Sequence, residues 1–220
     1  TLSHHFHDGF REHLIRSSFV KKPRPILVNN WEATYFEFDE QKLYDIAKAA
    51  KEVGIEMFVL DDGWFGKRDS DYTGLGDWYV NEEKIHGGLP KLVDKIRKLG
   101  LKFGIWLEPE MVSEDSDLYR RHPDWCLRVP GRLPVRSRSQ LNLDVTKKEV
   151  RDYIMEQIFK VIDSCQADYI KWDVNRALGN VFSQGVEAGR QGEVFHRHML
   201  GVYDMMERLI TRYPNLLFET

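Results

Sequence analysis

Asp168 to Arg176 reads DYIKWDVNR, an apolar run that ends in polar chemistry. In an extended strand successive side chains point to opposite faces, so Lys171, Asp173 and Asn175 share one face while Trp172 and Val174 share the other. An ammonium, a carboxylate and an amide converging at the end of a buried strand are costly to desolvate. A chain that places them there has a use for them, and the position of such groups along the sequence decides its fold.

Working outward, strand-like and helix-like segments alternate through the 220 residues. ILVNNW (26–31) is a short β-branched run after two prolines. FDEQKLYDIAKAAKEVG (38–54) has helical apolar spacing at Leu43, Ile46, Ala47 and Ala50, with Asp39 as N-cap and Gly54 as stop. MFVLDDGW (57–64) is the second strand, followed by a polar, Gly-rich loop and the helix LPKLVDKIRKLG (89–100), which ends at Gly100. KFGIWLEPE (102–110) is the third strand, closed by Pro109. QLNLDVT (140–146) reads as a fourth, with Thr146 placed to cap the helix KKEVRDYIMEQIFKVIDSC. DYIKWD (168–173) is the fifth. A weakly patterned helical region (about 189–213) leads to a sixth strand, NLLFET (215–220).

Strands that alternate with helices predict parallel pairing, in an open doubly wound sheet or a (β/α)8 barrel. No strand is followed by G-x-G-x-x-G, so nothing supports a dinucleotide fold. Strands one, two, three, five and six end in NNW, LDDGW, WLEPE, KWDVN and FET. A barrel puts its active site at the carboxyl ends of several strands, so the α/β class is read as a (β/α)8 TIM-type barrel with about six of eight units present. Residues 1–220 are expected to be a partial barrel domain, truncated before its last strands.

Composition excludes other classes. The chain is 42% hydrophobic and 30% charged with a net charge of −3, enough apolar material for a core and no basic footprint for nucleic acid or an anionic membrane. No run approaches the ~20 apolar residues of a membrane helix. The opening TLSHHFHDGF has no signal-peptide pattern, and Cys126 and Cys165 suggest no disulfide framework. A cytoplasmic protein without cofactor is expected, though a signal carried on a longer N-terminus would change the compartment.

Several residues could carry chemistry. Asp173 is a nucleophile or base at a strand end, with Lys171 on its face to favour the ionised form and Asn175 to bond substrate hydroxyls; the plain alternative is a rim ion pair. Asp61 and Asp62 suit neighbouring sugar hydroxyls, although Asp-Gly is also a common turn pair. Trp31, Trp64, Trp78 and Trp106 lie at or past strand ends, where indole faces pack on pyranose rings; Trp172 is read as core. Arg136 and Arg138 precede the fourth strand as a solvated loop or a cleft donor. Glu108 is a second acid or a structural group beside Pro109. His4, His5 and His7 contain H-x-H, a ligand spacing in some metal-dependent hydrolase barrels, but no strand precedes it.

Taken in order, NNWEATYF, VLDDGWFG, LGDW, FGIWLEPEM and YIKWDVNR resemble the bacterial α-galactosidases of glycoside hydrolase family 36, the melibiases. The opening SHHFHDGFREHLI and the loop RSRSQLNLD extend the likeness over nearly the whole chain. The resemblance implies a retaining glycosidase that removes terminal α-linked galactose from melibiose, raffinose and related oligosaccharides. By matched motif Asp173 would be the nucleophile. Asp61 and Asp62 would hold galactose hydroxyls, Trp31 and Trp106 would shape the pocket, and Lys171, Asn175 and Arg138 would add contacts. No metal or cofactor is implied. The family's acid/base is an aspartate beyond a Cys- and Gly-rich segment after FET, which would lie past Thr220; its flanking β domains would lie outside this chain too. The isolated segment is therefore expected to be inactive, and the family suggests a homotetramer.

Three rival readings stand beside this one. One is a metal-dependent hydrolase using His5, His7 and Asp173. Another is a barrel that binds sugar without cleaving it. The third is a related glycosidase that admits N-acetylgalactosamine, against which the paired aspartates and the bulk of Trp64 favour plain galactose by resemblance.

Overall fold

Short runs of Val, Ile, Leu, Phe and Trp become strands here because both of their faces can be buried at once, the condition for a parallel sheet under helices. The computed structural model describes residues 1–15 and 18–220. Its elements in chain order are α1 (Leu2–Gly9), β1 (Leu27–Asn29), α2 (Trp31–Thr34), α3 (Glu40–Glu52), β2 (Met57–Leu60), α4 (Gly88–Lys98), β3 (Lys102–Leu107), β4 (Met111–Val112), α5 (Asp117–Arg121), β5 (Leu141–Asn142), α6 (Lys148–Cys165), β6 (Tyr169–Trp172), α7 (Val194–Arg212) and β7 (Leu217–Glu219). β1, β2, β3, β6 and β7 form one parallel sheet in that order.

The two faces of the sheet do different work. Phe58, Leu60, Phe103, Ile105, Leu107, Ile170 and Trp172 sit in the main core with Leu43, Leu92, Ile96, Ile158, Ile162, Met205 and Leu209 of the covering helices. The opposite face starts as a small separate cluster of Met57, Val59 and Tyr169, with Leu217 packed against it. Register places Val59 beside Gly104, Gly104 beside Tyr169 and Tyr169 beside Leu217. A Cβ on Gly104 would lie 2.6 Å from Tyr169 Cδ1 and 3.1 Å from Val59 Cγ2, so only glycine lets the Tyr169 ring cross there. Further toward the carboxyl ends the same face carries Asp61, Trp106, Lys171 and Asp173.

Helix ends follow the expected chemistry in most places. Asp39 accepts a hydrogen bond from the Lys42 N–H at 2.8 Å, and α3 and α4 are followed by Gly54 at φ +89° and Gly100 at φ +79°, a backbone region that suits glycine. Thr146 does not cap α6. Its hydroxyl donates to Asp144 instead, at 2.5 Å.

The expected fourth barrel strand, 140–146, needs correcting. Only Leu141–Asn142 is extended, and it pairs antiparallel with Met111–Val112. β6 takes the edge of β3 directly, so the parallel sheet has five strands rather than six. The alternation of Leu141, Leu143 and Val145 with Asn142 and Asp144 is real, and all five are buried. The buried polar positions are satisfied locally: the Ser183 hydroxyl donates to Asp144 at 2.6 Å, and Asn142 accepts from the Gly179 N–H. A period of two identifies a strand without identifying its partner.

Candidate active site

Asp173 stands at the centre. Its N–H continues the sheet ladder by donating to the Leu107 carbonyl at 2.8 Å. Its Oδ2 accepts from the Trp106 indole N–H at 3.0 Å and from the Asn175 amide at 2.7 Å. Its Oδ1 accepts from the Val174 N–H at 3.0 Å. The carboxylate is therefore held by donors from two strands and their loops while remaining partly open to solvent.

Lys171 and Asp61 form a second centre. The Lys171 ammonium donates to Asp61 Oδ2 at 3.3 Å, so the ion pair expected to tune Asp173 is made with Asp61. The Asn29 amide also donates to Asp61 Oδ2, and the backbone N–H groups of Asp61 and Asp62 are taken by Asn30 Oδ1 and Asp61 Oδ1. Lys171 keeps 32% of its side-chain surface exposed against 4% for Asp61, so the ammonium is the part of this pair that meets solvent.

Asp62 is held differently from its neighbour. The Arg68 guanidinium grips it through Nε to Oδ1 at 3.0 Å and Nη2 to Oδ2 at 2.8 Å. Burial pushes the Asp62 carboxyl upward from its ordinary range, with Arg68 pulling the other way. Arg68 also faces Asp71 at 4.0 Å, and Asp71 pairs with Arg138 at 3.7 Å. Arg138, at φ +51° and half exposed, joins this rim network rather than Asp173. Arg136 bonds Glu114 at the surface, the solvated-loop reading.

Most of the tryptophans prove to be packing residues. Trp64, Trp78 and Trp106 are buried and pack around Phe65 in one aromatic cluster, Trp106 stacked on its ring, Trp78 tilted and Trp64 edge-on. Trp64 donates to the Trp106 carbonyl at 3.0 Å, and the Trp106 indole N–H is the group that reaches Asp173. Trp31, half-buried and edge-on to Tyr35 and Phe36, is the one with a surface to offer a sugar. Trp172 lies in the core as expected and donates to Glu110 Oε1 at 2.9 Å.

Glu108 is fully buried. It accepts from the Asn175 N–H at 2.6 Å and from the Gln140 amide at 3.0 Å. Burial, chiefly, and the nearby Asp173 charge push its carboxyl up to about 7. Cys126 and Cys165 are free and buried, with thiols pushed up to about 12 by desolvation, inert as nucleophiles. The metal-hydrolase alternative loses its motif: His5 and His7 lie in α1, an exposed helix, where positions two apart do not face each other. Among the described residues no group of three or more His, Cys, Asp or Glu is arranged to hold a metal ion.

A family model described as Melibiase matches residues 1–220. This chain belongs to the melibiase family. The α-galactosidase Mel36A of Lactobacillus acidophilus is 52% identical over 218 residues, covering 99% of this chain and 30% of that protein. The α-galactosidase AgaA of Geobacillus stearothermophilus is 50% identical over 219 residues, covering 100% of this chain and 30% of its own length. Its crystal structure matches with a TM-score of 0.95 over 97% of this chain and 30% of that one. Variants of that enzyme have been solved in complex with raffinose and with stachyose. The chain thus spans about 30% of the length of the curated relatives it matches.

Three residues of this candidate site escape a reading of sequence. Asn29 had a signal: alternation puts it on the inner face of ILVNNW, in register with Val59. Arg68 and Gln140 had none, because both sit in loops where no period applies and reach the site only through the tertiary fold.

Proposed function

We propose that this chain is the nucleophile-bearing part of the catalytic (β/α)8 barrel of a retaining α-galactosidase, with the remaining barrel units and the acid/base carried outside these residues. The observation that carries the reading is the seating of Asp173. Oδ2 is fixed by two side-chain donors, while Oδ1 takes a single backbone N–H in a side chain that stays partly open to solvent. A carboxylate so held can attack an anomeric carbon without reorganising.

In the proposed reaction Asp173 Oδ1 forms a bond to the galactosyl C1 as the glycosidic C–O bond breaks. The leaving oxygen takes a proton from an acid on the opposite side, and water then displaces the aspartate with that acid acting as base. Glu108 is unsuited to be that acid despite its raised carboxyl, because it is sealed from solvent with both oxygens occupied. Asp61 and Lys171 form a donor–acceptor pair suited to sugar hydroxyls, with Asp62 behind them on Arg68, Trp31 at the rim, and Arg138 joined through Asp71. An equatorial 4-hydroxyl would miss these partners, which is the basis for selecting galactose. Raffinose and stachyose, found in complexes of the similar Geobacillus enzyme, are the substrate type expected.

The test is Asp173→Ala in the full-length protein, with and without azide. Turnover of an aryl α-galactoside should fall on the order of 10⁴-fold or more. Azide should restore cleavage and yield β-galactosyl azide. Unchanged turnover, or an azide product of α configuration, would reject Asp173 as nucleophile.

A further inference from the structure

Two carboxylates of WLEPE hold the residues around Asp173. Glu110 accepts from the indole of Trp172, the residue before it. Glu108 accepts from the backbone N–H of Asn175, two residues after it, and the Asn175 side-chain amide is what bonds Asp173 Oδ2. Glu108 is in turn held by Gln140, whose carbonyl accepts from Arg176, the next residue of the same segment. Arg176 also donates to the Val135 carbonyl at 3.1 Å. The bonds thus close a ring from Asn175 through Glu108 and Gln140 back to Arg176, and Glu108, Gln140 and Arg176 are all buried.

We propose that Glu108 is a positioning residue for the nucleophile, gripping the Asn175 backbone so that the Asn175 amide is delivered to Asp173 Oδ2. The inference rests on Asp173 being the nucleophile. Glu108 cannot touch substrate, since none of its surface is exposed; its hydrogen bonds reach Asp173 through Asn175.

The grip works by hydrogen bonding rather than by charge. Gln140 Oε1 is buried with no hydrogen-bond partner, while the amide nitrogen of the same side chain faces Glu108. Turning that amide over presents the oxygen to Glu108, where it can accept from a protonated carboxyl or from a carboxamide. Glu108→Gln should therefore keep both bonds, and Glu108→Ala should lose them.

In the full-length protein, kcat, KM and the rate of labelling by a 2-deoxy-2-fluoro-galactosyl inactivator would be measured for the parent, E108A and E108Q. Binding of 1-deoxygalactonojirimycin would serve as the control for an intact pocket. E108A should lower kcat and the labelling rate by about 100-fold, the penalty of a misplaced reacting group, with inhibitor affinity retained. E108Q should recover most of that loss. Parent-like kcat and labelling in E108A, or an E108Q no better than E108A, would overturn the proposal. Should E108A fail to fold, Gln140→Ala carries the test: slower labelling at retained affinity supports it, and parent-like labelling overturns it. Label away from Asp173 in the parent would instead defeat the nucleophile assignment on which it rests.

Discussion

Asp173, Lys171 and Asn175 were legible as a group because alternation in a strand is a strict geometric rule. Their partners were not, since a shared face does not say which side chain reaches which. Lys171 pairs with Asp61, from a strand two places away in the sheet order, and the donors to Asp173 are Asn175 and Trp106. Beyond the pocket wall that its place at a strand end suggests, Trp106 offers its N–H to the Asp173 carboxylate. Trp106→Phe keeps most of the aromatic packing and removes that donor. A hydrogen bond to a charged group contributes about 1.5–3 kcal/mol, so kcat should fall roughly 10-fold or more with the fold intact. Steady-state kinetics on the full-length variant would check it, and an unchanged kcat would mean the bond does not hold the nucleophile.

At the scale of elements, amphipathic helices and their stops were readable, because capping and left-handed glycines are local chemistry. The segment 140–146 was not, because its strand pattern is equally satisfied by a local antiparallel pair. The close packing of α7 on the loop after β5 was equally hidden. A Cβ on Gly201 would run into the Val145 carbonyl oxygen, an oxygen that already accepts from Arg151 at 2.8 Å. Gly201→Ala gains helix propensity but should force α7 outward, a net cost of about 1–3 kcal/mol. Thermal unfolding would show it as a lowered midpoint. A raised midpoint would mean that α7 can shift freely over Val145.

For the whole molecule, strand-helix alternation and polar strand ends identify a parallel sheet with polar groups gathered at one edge, and the sheet is present with Asp61, Lys171 and Asp173 toward the carboxyl ends of its strands. The unit count fails with the misplaced strand. β1 and β7 each lie at an end of the sheet with one neighbour, and edge strands with unpaired backbone invite association. Residues 1–220 prepared alone are expected to self-associate and to show no galactosidase activity, as size-exclusion chromatography and an aryl α-galactoside assay would reveal. A monodisperse and active 220-residue chain would contradict the proposal that the barrel is completed outside it.

The central claim is that Asp173 forms the covalent bond to galactose. The most direct measurement is to inactivate the full-length protein with a 2-deoxy-2-fluoro-galactosyl reagent and locate the label by peptide mass spectrometry. A fluorogalactosyl adduct on Asp173 is the predicted result. An adduct on another residue, or on Asp173 only from the corresponding glucosyl reagent, would contradict it.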